Sequence, residues 1–175
     1  MTFEEILDQA IAMLQRRGRV TYQTLKLTWT AFRERFCIFA RSDRRLRLCR
    51  QIEQLHEEAQ ASQIVERLIF GGSFVTSKSE PNDFDCIIVL KAETHYEELL
   101  PFQRWVADTR EASRRYGGDV FVARTNQPTL AMYLDFFRTN RRGKRVGLVE
   151  PADRRYSRVH GPSTSRCRAY PPHAG

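Results

Sequence analysis

The chain has 175 residues, of which 41% are hydrophobic and 29% charged, and a net charge of +8. That length holds one domain with a sizeable core and a small appendage. No apolar run approaches the length of a membrane span. The acidic start Met1-Thr2-Phe3-Glu4-Glu5 lacks the basic-then-apolar order of a secretory signal, so a cytoplasmic protein without a membrane partner is expected.

The charge is uneven. Residues 1–137 carry 19 basic and 19 acidic residues, whereas residues 138–175 carry 10 basic and 2 acidic ones. Such a basic end reads either as a solvated disordered tail or as a segment that meets a polyanion. Cys37, Cys49, Cys86 and Cys167 fall at no metal-ligand spacing, and the four histidines are equally scattered, so no zinc site is expected.

In chain order, Phe3, Ile6, Leu7, Ala10, Ile11 and Leu14 recur at helical intervals over residues 3–16, and Gly18 supplies a stop. A second short helical pattern follows from Gln23 to Leu27. Together they read as a helix-turn-helix-like opening over residues 1–28, or as a helix pair packed on the main domain. From Trp29 to Gln63 the pattern is helical. It carries an aromatic stripe (Trp29, Phe32, Phe36, Phe39) that suits a core, then an arginine-dense stretch from Arg41 to Arg50.

Residues 64–70 read as a first strand and 84–90 as a second, entered through the turn Pro81-Asn82. Residues 95–115 read as a helix ended by Gly117-Gly118. Asp119 to Ala123 is a third short strand. Pro128 starts a helix through Phe137, and Val146 to Val149 adds a last strand. After Pro151, prolines, serines and arginines replace apolar residues, and a disordered basic tail over 151–175 is expected. The expected fold is α/β (α+β): a small mixed sheet flanked by helices over residues 29–150, with a helical lead-in.

The stretch that carries chemistry is Leu68-Ile69-Phe70-Gly71-Gly72-Ser73, followed by Asp83-Phe84-Asp85 and an apolar run. Alternation along a strand places Asp83 and Asp85 on one face, and a divalent cation is the usual reason to tolerate two neighbouring carboxylates. Asp119 opens the next strand and offers a third. The Gly71-Gly72-Ser73 turn lets backbone approach a phosphate, and Lys78 adds a cation near a triphosphate.

This pattern resembles the signature of nucleotidyltransferases of the polymerase β superfamily: a Gly-Ser turn, a spacer, then Asp-x-Asp. The segment Gly72-Ser73-Phe74-Val75-Thr76-Ser77-Lys78 through Pro81-Asn82-Asp83-Phe84-Asp85 is similar to a bacterial family of uncharacterised nucleotidyltransferase-like proteins. The likeness runs from about Trp29 to Pro151. It takes in Tyr116-Gly117-Gly118-Asp119-Val120-Phe121 and the ending Lys144-Arg145-Val146-Gly147-Leu148-Val149-Glu150. The resemblance implies Asp83, Asp85 and Asp119 as metal ligands for Mg²⁺ or Mn²⁺, with Gly72 and Ser73 contacting the phosphates of a nucleoside triphosphate such as ATP.

The function expected on this basis is transfer of a nucleoside monophosphate to a hydroxyl of RNA, a protein or a small molecule. By analogy with small bacterial members of the superfamily, a toxin–antitoxin or defence setting with a cognate partner protein is plausible. The alternative is a non-catalytic nucleotidyltransferase-like scaffold that binds nucleic acid or a partner protein.

Overall fold

The computed structural model describes residues 24–38, 42–139, 143 and 146–152. A five-stranded mixed sheet forms its centre. The strands are β1 (Leu25–Thr28), β2 (Val65–Gly71), β3 (Asp85–Leu90), β4 (Asp119–Arg124) and β5 (Val149–Ala152), in the order β1-β5-β2-β3-β4. β1 and β5 are parallel, as are β3 and β4, whereas β2 is antiparallel to both its neighbours. The helices are α1 (Trp29–Arg33), α2 (Asp43–Ser62), α3 (Pro101–Ala107), α4 (Thr109–Tyr116) and α5 (Pro128–Phe137), and a π-helical turn, Glu34–Ile38, continues α1. The sheet is open, and helices cover both faces.

Alternation along the strands separates the two faces. Leu68, Phe70, Cys86, Ile88 and Val120 join α1, α2 and α4 in one core, where Phe32, Ile52, Leu55 and Tyr116 are fully buried. Ile69, Ile87, Val89 and Ala123 face the other way and pack against Leu130 and Phe137 of α5. The aromatic stripe is core as expected at Phe32 and Phe36; Phe39 lies outside the described residues. On the α5 face the buried Glu150 of β5 lies 3.7 Å from both Lys26 of β1 and Arg67 of β2, so one carboxylate ties three strands together.

Several expected elements differ. The helical pattern at Gln23–Leu27 is strand β1 from Leu25 onward. Leu25 and Leu27 alternate with exposed Lys26 and Thr28, and a parallel partner, β5, is at hand. The last strand runs from Val149 to Ala152 rather than from Val146 to Val149, because β1 registers Leu25 against Val149. Pro151 is accommodated there because β5 registers against β2 at Val149, before the proline. Residues 25–28 and 151–152 are thus parts of the sheet, although the sequence assigns them to flanking segments. The rest of the segments 1–28 and 151–175, including the helix over 3–16 and the basic tail, lies outside the described residues.

The single helix expected over 95–115 is two. Pro101 opens α3, and Asp108 stops it and caps α4, its carboxylate accepting from the backbone N–H of Arg110 and of Glu111 at 2.9 Å. The helical stretch from Trp29 to Gln63 is likewise divided. Ser42 caps a fresh start at Asp43, its hydroxyl accepting from Arg45 N–H. Among the described residues no helix is long and apolar enough to cross a membrane.

Candidate functional site

The end of β2 and the starts of β3 and β4 lie side by side, because Gly71 registers against Asp85 and Asp85 against Asp119. Paired residues on neighbouring strands point to one face, here the face that α5 covers further along. A Cβ at Gly71 would fall 3.1 Å from Leu148 and 3.4 Å from Phe137, which fixes that face. Asp85 and Asp119 therefore start adjacent strands at one end of the sheet.

The turn after β2 serves Asp85 directly. Gly72 has φ +68°, and a Cβ there would overlap the Asp85 carboxylate. The side chain of Asp85 thus rests on the bare Cα of Gly72. The sequence suggests that this glycine admits a phosphate; its first task in the structure is to admit a carboxylate. Ser73 follows immediately and opens a 3-10 turn, its carbonyl accepting from both the N–H and the hydroxyl of Thr76.

Phe84 explains why the two strands start together. It points away from Asp85 into the α2 core, fully buried, and its ring presses on Gly118, where a Cβ would come within 2.5 Å of it. The Asp119 N–H donates to the Phe84 carbonyl at 2.9 Å. On the other side, the Ser113 hydroxyl of α4 bonds the N–H and carbonyl of Val120, both at 3.2 Å. The Asp-Phe-Asp and Gly-Gly-Asp segments are thus packed as one unit.

The ladder of β3 starts at Asp85 and does not reach Asp83. The ladder between β2 and β3 ends at Gly71–Asp85, and the residue that would oppose Asp83 is already in the Ser73 turn. Asp83 therefore lies before the strand, and its face is not set by alternation. Among the described residues, no group of three or more histidine, cysteine, aspartate or glutamate side chains is placed to hold a metal ion.

The loop between the motif halves is held from α2, by residues that the sequence marks only as an arginine-rich face. Arg45 is fully buried. Its Nη1 donates to the carbonyls of Phe36 (2.6 Å) and Phe74 (3.0 Å), and its Nη2 to those of Thr76 (3.4 Å) and Lys78. Burial lowers the pKa of its guanidinium from the usual value, and bonds to four carbonyls take the place of water around the charge. Ser42 donates to the Ser79 carbonyl, and Arg44 to Asn82 Oδ1, both at 2.9 Å. The Lys78 backbone is held at both groups, its carbonyl accepting from Arg45 and its N–H donating to Thr76 Oγ1 at 3.2 Å, while its side chain is exposed.

A separate cavity of about 250 Å³ opens at the other end of β3 and β4, lined by Leu90, His95, Tyr96, Leu99, Arg124 and neighbours. It is remote from Asp85 and Asp119 along the strands.

The open mixed sheet flanked by helices defines a small α/β domain, with two carboxylates in register at the starts of adjacent strands. The chain belongs to the family of unknown function DUF6932, whose model matches residues 12–151. That match begins before β1 and ends within β5, so it spans every described element. No curated protein and no solved structure matches the chain.

Proposed function

We propose that this protein is a metal-dependent nucleotidyltransferase of the polymerase β type. It would move a nucleoside monophosphate from a nucleoside triphosphate to a hydroxyl of RNA, a protein or a small molecule. The observation that carries the reading is the seating of Asp85 on Gly72 with Asp119 in register beside it. Two carboxylates in register at the starts of adjacent strands, one of them given room by a bare glycine, suit a divalent cation between them.

Mg²⁺ or Mn²⁺ held there would neutralise charge on the triphosphate. Ser73 and the N–H groups of its turn stand beside Asp85, where β- and γ-phosphate oxygens would lie. The acceptor oxygen bonds to the α-phosphorus as the bridging oxygen leaves with pyrophosphate. The residues of this chain orient the triphosphate and hold the acceptor in line.

The test is thermal unfolding with each of the four triphosphates and Mg²⁺ or Mn²⁺. Ligand at a hundredfold excess over its Kd stabilises by about 2.7 kcal/mol. Stabilisation is expected for at least one triphosphate and is expected to vanish in Asp85→Asn. Its absence with every triphosphate and both metals removes the reading. A second reading, a nucleotidyltransferase-like scaffold that binds without catalysis, then takes its place. The position of Asp83 outside the β3 ladder favours that alternative, since two-metal chemistry uses three carboxylates.

A further inference from the structure

We propose that the disulfide between Cys37 and Cys49 is a reversible redox lock on the Gly72–Asn82 loop. Its effect on nucleotide binding rests on the nucleotidyltransferase reading; its effect on the loop does not.

The bond joins the π-helical turn to α2, with both cysteines buried. Two contacts tie the residue before Cys37 to Arg45 and Phe74, and those two are themselves in contact. The Phe36 carbonyl accepts from Arg45 Nη1, which also holds the Phe74 carbonyl. The Phe36 ring packs 6.4 Å from that of Phe74, and the Arg45 guanidinium lies 4.9 Å from the Phe74 ring. Cys49 stands one helical turn beyond Arg45, on the buried side of the same helix. The covalent bond thus closes a ring that encloses Arg45 and keeps the Phe36 carbonyl within its reach. Phe74 follows Ser73, and Ser73 follows the glycine on which Asp85 rests.

With the bond cut, the turn 34–38 stays on α2 through noncovalent contacts alone. It is a single π-helical turn ending in Ile38, which is 63% exposed, so it is a segment suited to local opening. Opening takes the Phe36 carbonyl from Arg45, and the buried guanidinium must find another acceptor. The carbonyls of Phe74, Thr76 and Lys78 are then held by an anchor that is itself free to shift.

The chemistry balances with a dithiol as co-reactant. Its thiolate attacks one sulfur of the pair as the turn opens, and the other leaves as a thiolate that takes up a proton. The second thiol of the reductant then attacks the mixed disulfide, releasing the remaining cysteine. The protein gains two electrons and two protons, and the dithiol ends as a disulfide. In a reducing compartment such bonds are transient and redox-sensing. Cys86 does not compete: burial pushes its thiol up, and it sits within β3.

The test is amide hydrogen exchange of the full chain, oxidised with glutathione disulfide or reduced with dithiothreitol. Residues 73–80 are expected to exchange about tenfold faster in the reduced form, with the central amides of β2 and β3 unchanged. The Cys37→Ser, Cys49→Ser double variant is expected to match the reduced form under both conditions. Equal exchange in the two forms of the wild-type protein overturns the lock. So does mass mapping that finds Cys37 and Cys49 both as thiols after treatment with glutathione disulfide. Triphosphate melts on both forms separate the two proposals. Faster loop exchange with no triphosphate effect in either form keeps the lock and removes the nucleotidyltransferase reading. Triphosphate stabilisation with no difference in exchange does the reverse.

Discussion

The two ends of α2 do similar work by different physics. At its N-terminus, Arg45 offers a charge to neutral carbonyls and so fixes the loop that leads from Gly72 to the β3 strand. Toward its C-terminus, Glu58 accepts Arg115 in two bonds of 2.7 Å, Tyr116 Oη at 2.6 Å and Gln54 Nε2 at 2.9 Å. The second grip fixes α4, whose end runs directly into Asp119. One helix therefore sets the positions of both halves of the candidate site. The four bonds from Arg45 end on backbone carbonyls, which do not titrate, whereas the grip at Glu58 depends on a carboxylate being charged. These two sets of bonds should therefore respond differently to acid.

The strongest way to break the comparison is at Arg45. Arg45→Met removes a charge that serves four carbonyls, and buried acceptors left without donors are costly. We expect a loss of about 4 kcal/mol in urea unfolding. Arg45→Lys should recover only a small part, because one ammonium cannot span two pairs of carbonyls as a planar fork does. A loss below about 1 kcal/mol for Arg45→Met, the level of an exposed ion pair, would show that the loop holds itself.

Gly72 gives the next effect. Gly72→Ala places a methyl against the Asp85 carboxylate and strains a residue at φ +68°, for about 2 kcal/mol. The cost should shrink to about 1 kcal/mol in an Asp85→Gly background, where only the backbone strain remains. Equal costs in both backgrounds would mean that Asp85 moves aside freely and that Gly72 does not position it.

Much of this frame is legible in the sequence. The apolar runs give β2, β3 and β4 to within a residue. What escapes is long-range. Leu25 to Thr28 has too few residues for periodicity to separate a strand from a helical turn, and only its partner β5, more than a hundred residues on, decides it. Arg45 looks like its neighbours Arg44 and Arg47, because nothing local marks an arginine whose acceptors lie in a distant loop. Cys37 and Cys49 have a spacing without a signature, and their pairing follows from the turn between α1 and α2. Alternation reaches only as far as the last ladder pair, Gly71–Asp85, so it does not set the face of Asp83.

The smallest effect is the most diagnostic of the comparison. Burial alone would raise the Glu58 carboxyl, but bonds from Arg115, Tyr116 and Gln54 and the charge of Arg115 outweigh it and hold the group at about 2, against an ordinary 4.5. A carboxyl with a depressed folded pKa contributes stability that is complete above its unfolded value and is lost as pH falls through the folded one. Glu58→Gln should therefore cost about 1 kcal/mol at pH 7, a value that allows for solvent at a partly exposed pair. The difference between variant and wild type should begin to narrow below pH 4.5 and close near pH 2, while other carboxyls cancel between the two proteins. Arg115 stays charged and burial keeps the Tyr116 phenol neutral over this range, so neither reverses the sign. Urea melts of both proteins from pH 7 to 2 measure this directly. Exchange of the 73–80 amides, corrected for intrinsic pH dependence and stability, should not follow the same curve, because Arg45 holds that loop through carbonyls. If the loop loosens in step with Glu58, the two ends of α2 act as one unit, and the separation of the two grips is wrong.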